Sequence, residues 1–168
     1  ARFDCTTENL SFRGADLHEV DWGRTGGFSH GSFREAHAYG VNFEKLHFNW
    51  CDMRDAELSD ANLQRAKFAA CDLRGSQFRN ANLRGARIAN CQLDGTDFGL
   101  ADLEGGLLYN LTVPPEVIEH LIVGQVYVSK TVTWPDGFDP FEHGAIHYEQ
   151  WLDAGAREAW LRNAERLF

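Results

Sequence analysis

Cys51, Cys71 and Cys91 stand twenty residues apart. If that interval stacks them, three aligned thiols are the ligand type a soft metal ion prefers. His143 and His147 stand four apart, with Glu142 and Glu149 beside them. Zinc sites on helices use such a spacing. Pro140 and Gly144 oppose a helix here, however, and neither HExxH nor a third ligand accompanies the pair. There is no phosphate-cradling P-loop and no GxGxxG after a strand. Gly26-Gly27 reads as a turn. No group of residues meets the geometry that catalysis requires, so the expectation is no enzyme, no metal and no cofactor.

Charge is the larger chemical signal. The 168 residues hold 25 acids and 16 Lys or Arg, a formal net charge of −9. That balance argues against general binding to nucleic acid or anionic membranes, which rests on excess Lys and Arg. It leaves a basic protein partner, or imitation of something acidic. No run of about 18 apolar residues is present to span a membrane as a helix. Four cysteines are too few for a disulfide scaffold, and a reduced, cytoplasmic setting is the expectation.

A repeat would position these groups. Stepping by five gives Phe28, Phe33, Ala38, Phe43, Phe48, Met53, Leu58, Leu63, Phe68, Leu73, Phe78, Leu83, Ile88, Leu93, Phe98, Leu103 and Leu108, of which only Ala38 is small. Two residues before each runs a column of mostly small residues, among them Ala56, Ala61, Ala66, Cys71, Ser76 and Ala81. Phe12, Leu17 and Trp22 keep the same beat, and the longer step from Trp22 to Phe28 puts one inserted residue near 23–27. A period of five is neither 3.6 nor 2, so neither an amphipathic helix nor an alternating strand explains it. A chain that turns a corner after every unit does. One large and one small residue then face inward, and three are free to be polar. Four corners close a coil of twenty residues, and stacked coils bond along the axis at about 4.8 Å. The three cysteines then share the small column and read as small buried hydrophobes. Their parallel directions oppose disulfide bridging. The weak unit at Ala38 and the insertion predict a bulge or loop in the early coils.

Units such as Ala56-Glu57-Leu58-Ser59-Asp60, Ala61-Asn62-Leu63-Gln64-Arg65, Ala81-Asn82-Leu83-Arg84-Gly85 and Ala101-Asp102-Leu103-Glu104-Gly105 resemble the A(D/N)Lxx signature of pentapeptide-repeat proteins. The resemblance covers residues 10–110. It implies an all-β solenoid, a right-handed quadrilateral β-helix of about five 20-residue coils. Residues 1–9 are then a lead-in and 111–168 a C-terminal segment. In that segment, 115–121 predicts a short helix opening on proline, 126–128 and 131–133 are extended, and 134–140 is rich in turns. A helix is expected over 148–168, with Tyr148, Leu152, Ala156, Ala159, Trp160 and Leu167 on one face. The segment caps the open end of the sheet. The resemblance also implies a homodimer through it, which makes Leu152, Trp160 and Leu167 the candidate cap or dimer residues.

The best-known members of that family bind DNA gyrase or topoisomerase IV and protect them from quinolones by imitating duplex DNA. The twenty-residue register sorts residues 10–110 onto four sides. The first, with Arg34, Arg54 and Arg74, carries net −1. The second holds Asp16, Glu19, Glu57, Asp60 and Asp97 against Arg79 alone, net −4. The third is neutral. The fourth has no acid and holds Lys67, Arg87 and Trp50. Five coils make a rod about 24 Å long, and duplex DNA of that length carries about 14 charges. The repeats hold 14 acids, but 11 bases offset them, so only the second side forms an acidic stripe. Two readings follow. One is a non-catalytic DNA mimic bound to gyrase or topoisomerase IV through that stripe. The other is a general scaffold binding a different protein through the side with Trp50, Lys67 and Arg87. Neither contacts nucleic acid directly or a membrane.

Phe43, Leu63, Phe68, Leu73, Phe78 and Leu83 are the expected lumen residues. Leu63→Asp or Phe78→Asp should abolish the fold, because an unpaired charge would enter a dry interior. Arg65→Ala should change stability by less than about 0.5 kcal/mol. Thermal denaturation checks both, and a lumen aspartate that melts like the parent would refute the register.

Overall fold

A computed structural model describes residues 5–20, 22, 25–121 and 124–148. Its strands are β1 (Cys5–Glu8), β2 (Thr25–Ser29), β3 (His47–Asn49), β4 (Lys67–Ala69), β5 (Arg87–Ala89), β6 (Leu107–Tyr109), β7 (Tyr127–Val128) and β8 (Ile146–His147). They pair in sequence order, each parallel to the next. Phe28 faces Phe48, Phe48 faces Phe68, Phe68 faces Ile88 and Ile88 faces Leu108, so one coil is twenty residues. These strands build the fourth side. The other sides are joined by single bridging pairs at the same interval, such as Asp52 with Asp72, Glu57 with Gln77 and Asn62 with Asn82.

The corners explain the period. The carbonyl of inward Phe33 accepts the Ala36 N–H at 3.0 Å, and Leu63 and Leu83 accept from Ala66 and Ala86 at 2.9 Å. The residue before each donor has a left-handed backbone, with φ of 57° at Glu35, 59° at Arg65 and 67° at Gly85. A positive φ at the third position is the geometry of a type II turn. One such residue per five redirects the chain at each unit. The next coil then accepts the inward residue's own N–H, as Asp52 O does from Phe33 N at 2.7 Å.

Phe43, Leu63, Phe68, Leu73, Phe78 and Leu83 are all fully buried in the lumen. Each contributes roughly 1.5–3 kcal/mol by leaving water. Phe48 stacks on Phe68 with centroids 5.1 Å apart, and Phe78 on Phe98 at 5.2 Å. The small column, with Ala61, Ala66 and Ala81 buried, lets the walls close around them.

The inserted residue is a bulge. Cys5 faces Thr25 while Thr6 faces Gly27, which leaves Gly26 over. Gly27 lies so close to β3 that a Cβ would strike the His47 carbonyl oxygen. Ala38, by contrast, makes no bulge. It is buried, and its neighbour His37 pairs with Glu57 at the regular interval.

The solenoid runs to about seven coils rather than the expected five, because the sheet continues through β7 and β8. Pro114-Pro115 breaks the five-residue beat but not the coil length. Leu108 still pairs with Val128, twenty residues on, and Val128 with His147, nineteen on. Between β6 and β7, a short helix α1 (Pro115–Ile118) replaces a corner, and Val113, Val117, Leu121 and Val126 line the interior. Thr133 pairs with Thr112, and 134–140 forms turns in which Trp134 packs on Phe138. The helix expected beyond Tyr148, with Leu152, Trp160 and Leu167, lies outside the described residues.

A methyl at Gly105 (φ 70°) meets nothing, so Gly105→Ala should cost only the left-handed strain, about 1 kcal/mol. Gly27→Ala should cost more, because backbone must also move. Equal losses in chemical denaturation would contradict the bulge geometry.

Candidate functional site

The second side is built on the column Asp16, His37, Glu57, Gln77 and Asp97, paired in that order from coil to coil. Its far corner is the left-handed column Glu19, Gly40, Asp60, Asn80 and Leu100. Asp16, Glu19, Glu57 and Asp60 are exposed. Asp16 accepts the His18 N–H at 3.0 Å, and His37 Nδ1 lies 3.5 Å from Glu57. Asp60 accepts a hydrogen bond from the Tyr39 phenol, and that bond and the carboxylate's charge push the phenol pKa up.

Asp97 differs from the other four. Its side chain is 14% exposed and pairs with Arg79 Nε at 2.5 Å. Burial works against its charge, but the Gly99 N–H and Arg79 outweigh this and hold the carboxyl below its usual range. The expected five-acid stripe is therefore four exposed carboxylates, with Asp97 neutralised at its upper end. Arg79 and Asp97 are eighteen apart, which places them in adjacent coils, offset by two positions. The register already contained that signal.

The first side is an alternating ion ladder. Asp52 takes both Nε and Nη2 of Arg54, at 2.8 and 2.7 Å, and Asp72 takes the same atoms of Arg74, at 2.8 and 2.6 Å. Arg54 also reaches Asp72, at 3.5 Å in the next coil. The arginine hydrogen bonds hold both carboxyls below their usual range. On the third side Arg84 joins Asp102 and Glu104, at 2.9 and 2.6 Å. Both sides are internally matched and present little net field.

The fourth side places Lys67 and Arg87 on consecutive strands, and burial lowers the Arg87 pKa. Trp50 sits at its corner, 53% exposed and stacked on His30, with centroids 5.3 Å apart and planes 6° from parallel. Tyr148 lies against Tyr109 on the same side.

The structure also places the residues that first suggested chemistry. Cys51, Cys71 and Cys91 are free and buried, and their thiols donate to the carbonyls of Phe28, Phe48 and Phe68 in the coil below, at 3.5, 3.2 and 3.6 Å. A hydrogen bond with the Cys71 sulfur, together with burial, pushes the Cys51 thiol up. The Cys51 contact lowers Cys71, but Cys91 and burial outweigh it. His143 stacks on Phe138 and His147 on Phe141, with centroids 4.6 and 3.8 Å apart. Gly27-Phe28-Ser29-His30-Gly31 spells the GxSxG pattern of a nucleophile elbow, which needs a strand-to-helix turn. Here Ser29 ends β2 and the chain continues into the next side of the coil. An open groove of about 350 Å³ on the first side is lined by Asn90, Gln92, Asp94, Asn110 and Thr112, away from the acidic column.

Residues 24–98 match the model of a family described as a pentapeptide repeat region. None of the curated proteins compared matches the chain. Among solved structures, it is similar to trypsin-treated QnrB1, a plasmid-mediated fluoroquinolone resistance protein. There the TM-score is 0.48 with 17% identity, over 85% of this chain and 79% of that one. A pentapeptide repeat protein from the Arabidopsis thaliana thylakoid lumen gives a TM-score of 0.32 with 25% identity, over 59% and 67%. A third, HetL of the cyanobacterium Nostoc, is a pentapeptide repeat protein involved in heterocyst differentiation regulation. It gives 0.26 with 18% identity, over 84% and 67%.

The ladder has a pH signature. Because the folded pKa values of Asp52 and Asp72 are depressed, their pairs stabilise the fold above the ordinary aspartate range, about 3.9, and fade as pH falls through the depressed values. Arg54→Ala should cost up to about 1 kcal/mol at pH 7, some 2–4 °C in Tm. Melting curves should show that gap closing in strong acid, and a gap unchanged at pH 2 would contradict the ladder.

Proposed function

We propose, from the match of residues 24–98 to the pentapeptide repeat region, that the rod is a non-catalytic protein-binding module. It offers its acidic second side to a basic groove that otherwise holds duplex DNA, and the partner is DNA gyrase or topoisomerase IV. One observation carries this reading. Exposed Asp16, Glu19, Glu57 and Asp60 gather on one side, while the opposite side carries Lys67 and Arg87 and no acid within the repeats.

Magnitude restricts the form of the mimicry. Seven coil intervals make a rod about 34 Å long, and duplex DNA of that length carries about 20 charges. Residues 5–147, which span those coils, hold 20 acids but also 12 bases, and most of those bases are paired within the rod. Recognition therefore rests on a stripe and not on the total field. A second copy joined through the C-terminal segment, in which Leu152, Trp160 and Leu167 are the candidate contacts, would lengthen the rod along such a groove.

The His30–Trp50 stack supports the second reading, a scaffold that binds a different protein through the fourth side. A gyrase supercoiling assay with and without a quinolone separates the two. The first reading expects inhibition and protection at micromolar protein, lost in Glu57→Lys/Asp60→Lys and kept in Trp50→Ala. No effect from the parent chain would sink it.

A further inference from the structure

The left-handed corners are mostly filled by residues that suit them. They carry Gly, Asn, Asp or another polar side chain, or the small Ala70. Large apolar residues occupy two: Trp50 at φ 51° and Leu100 at φ 59°. Trp50 has an internal partner, because it stacks on His30. Leu100 is 75% exposed and is not among the hydrophobics packed against the core. Below it in the same column stand Asn80, Asp60 and Gly40, residue types that visit this conformation routinely. A leucine there crowds its Cβ against the following carbonyl and leaves its side chain in water. The fold gains nothing from it, since Asn80 makes the same corner one coil below.

We propose that Leu100 is an apolar anchor for the protein partner, set at the rim of the acidic second side. The inference rests on the reading of that side as the binding surface. Asp60 lies two coils below Leu100, about 10 Å away. Asp97 lies three residues before it, its charge already taken by Arg79. Around Leu100 the side is thus locally uncharged and apolar, the stretch below it is anionic, and the coil above adds exposed Glu116, which accepts the Gly95 N–H, and Glu119. The complementary partner surface is a row of cationic groups interrupted by an apolar pocket. Duplex DNA presents no aliphatic side chain, so that pocket gives the protein a contact that nucleic acid does not make.

Leu100→Gly separates fold from function. Glycine relieves the corner, so the variant should melt about 3 °C higher than the parent. It should nevertheless bind DNA gyrase about tenfold more weakly in surface plasmon resonance. Leu100→Ala should bind as weakly without the gain in Tm. A glycine variant that binds like the parent overturns the anchor and leaves the acidic stripe standing. One that melts no higher also overturns it, because the corner is then unstrained. A parent chain that does not bind gyrase overturns both the anchor and the reading beneath it.

Discussion

One left-handed residue in every five is the constraint on which the rest of the rod depends. An L-residue in that conformation is strained by about 1–2 kcal/mol, and fifteen non-glycine residues of the described chain have positive φ. The strain persists because each corner is over-determined. The turn bond on the first three sides, the coils above and below and the lumen side chain all fix the same backbone. Remove the inward leucines and phenylalanines, and nothing opposes the relaxation of the corners. The lumen and the corners therefore stabilise one another, and neither is stable alone.

Once the corners repeat every five residues, outward side chains are forced into columns about 4.8 Å apart. Residues twenty apart in sequence become neighbours, and like charges in one column would repel. The chain meets this in different ways on different sides. The first side alternates Asp52, Arg54, Asp72 and Arg74 into a matched ladder. The second alternates carboxylates with His37 and Gln77, so its acids are spread along the column and exposed. Its polarity is what gives the proposed partner a direction of approach.

Much of this was legible in the sequence. The five-residue beat identified the lumen residues, and the twenty-residue coil sorted Glu57, Asp60 and Lys67 by side without coordinates. The coils beyond Pro114 were not legible. There α1 substitutes for a corner and Val113, Val117 and Leu121 fall into helical spacing, while the coil length, which a beat does not encode, stays at twenty between β6 and β7 and nineteen between β7 and β8. Ala38 looked like a defect because periodicity counts volume, whereas the backbone register depends on the turn bonds. The neutralisation of Asp97 by Arg79 needed the offset between neighbouring coils, not only the column. Leu100 passed unnoticed because an exposed leucine is ordinary until its φ is known.

The central claim is that the twenty-residue register decides which side chains share a side. Spin labels in a Cys5→Ser background test it most directly, with the three buried thiols left in place. Labels at 64 and 104 lie in one column, two coils apart, and labels at 64 and 74 lie on opposite sides. The register predicts about 10 Å for the first pair and a clearly longer distance for the second, although the second pair is thirty residues closer in sequence. A 64–74 distance shorter than the 64–104 distance would contradict it.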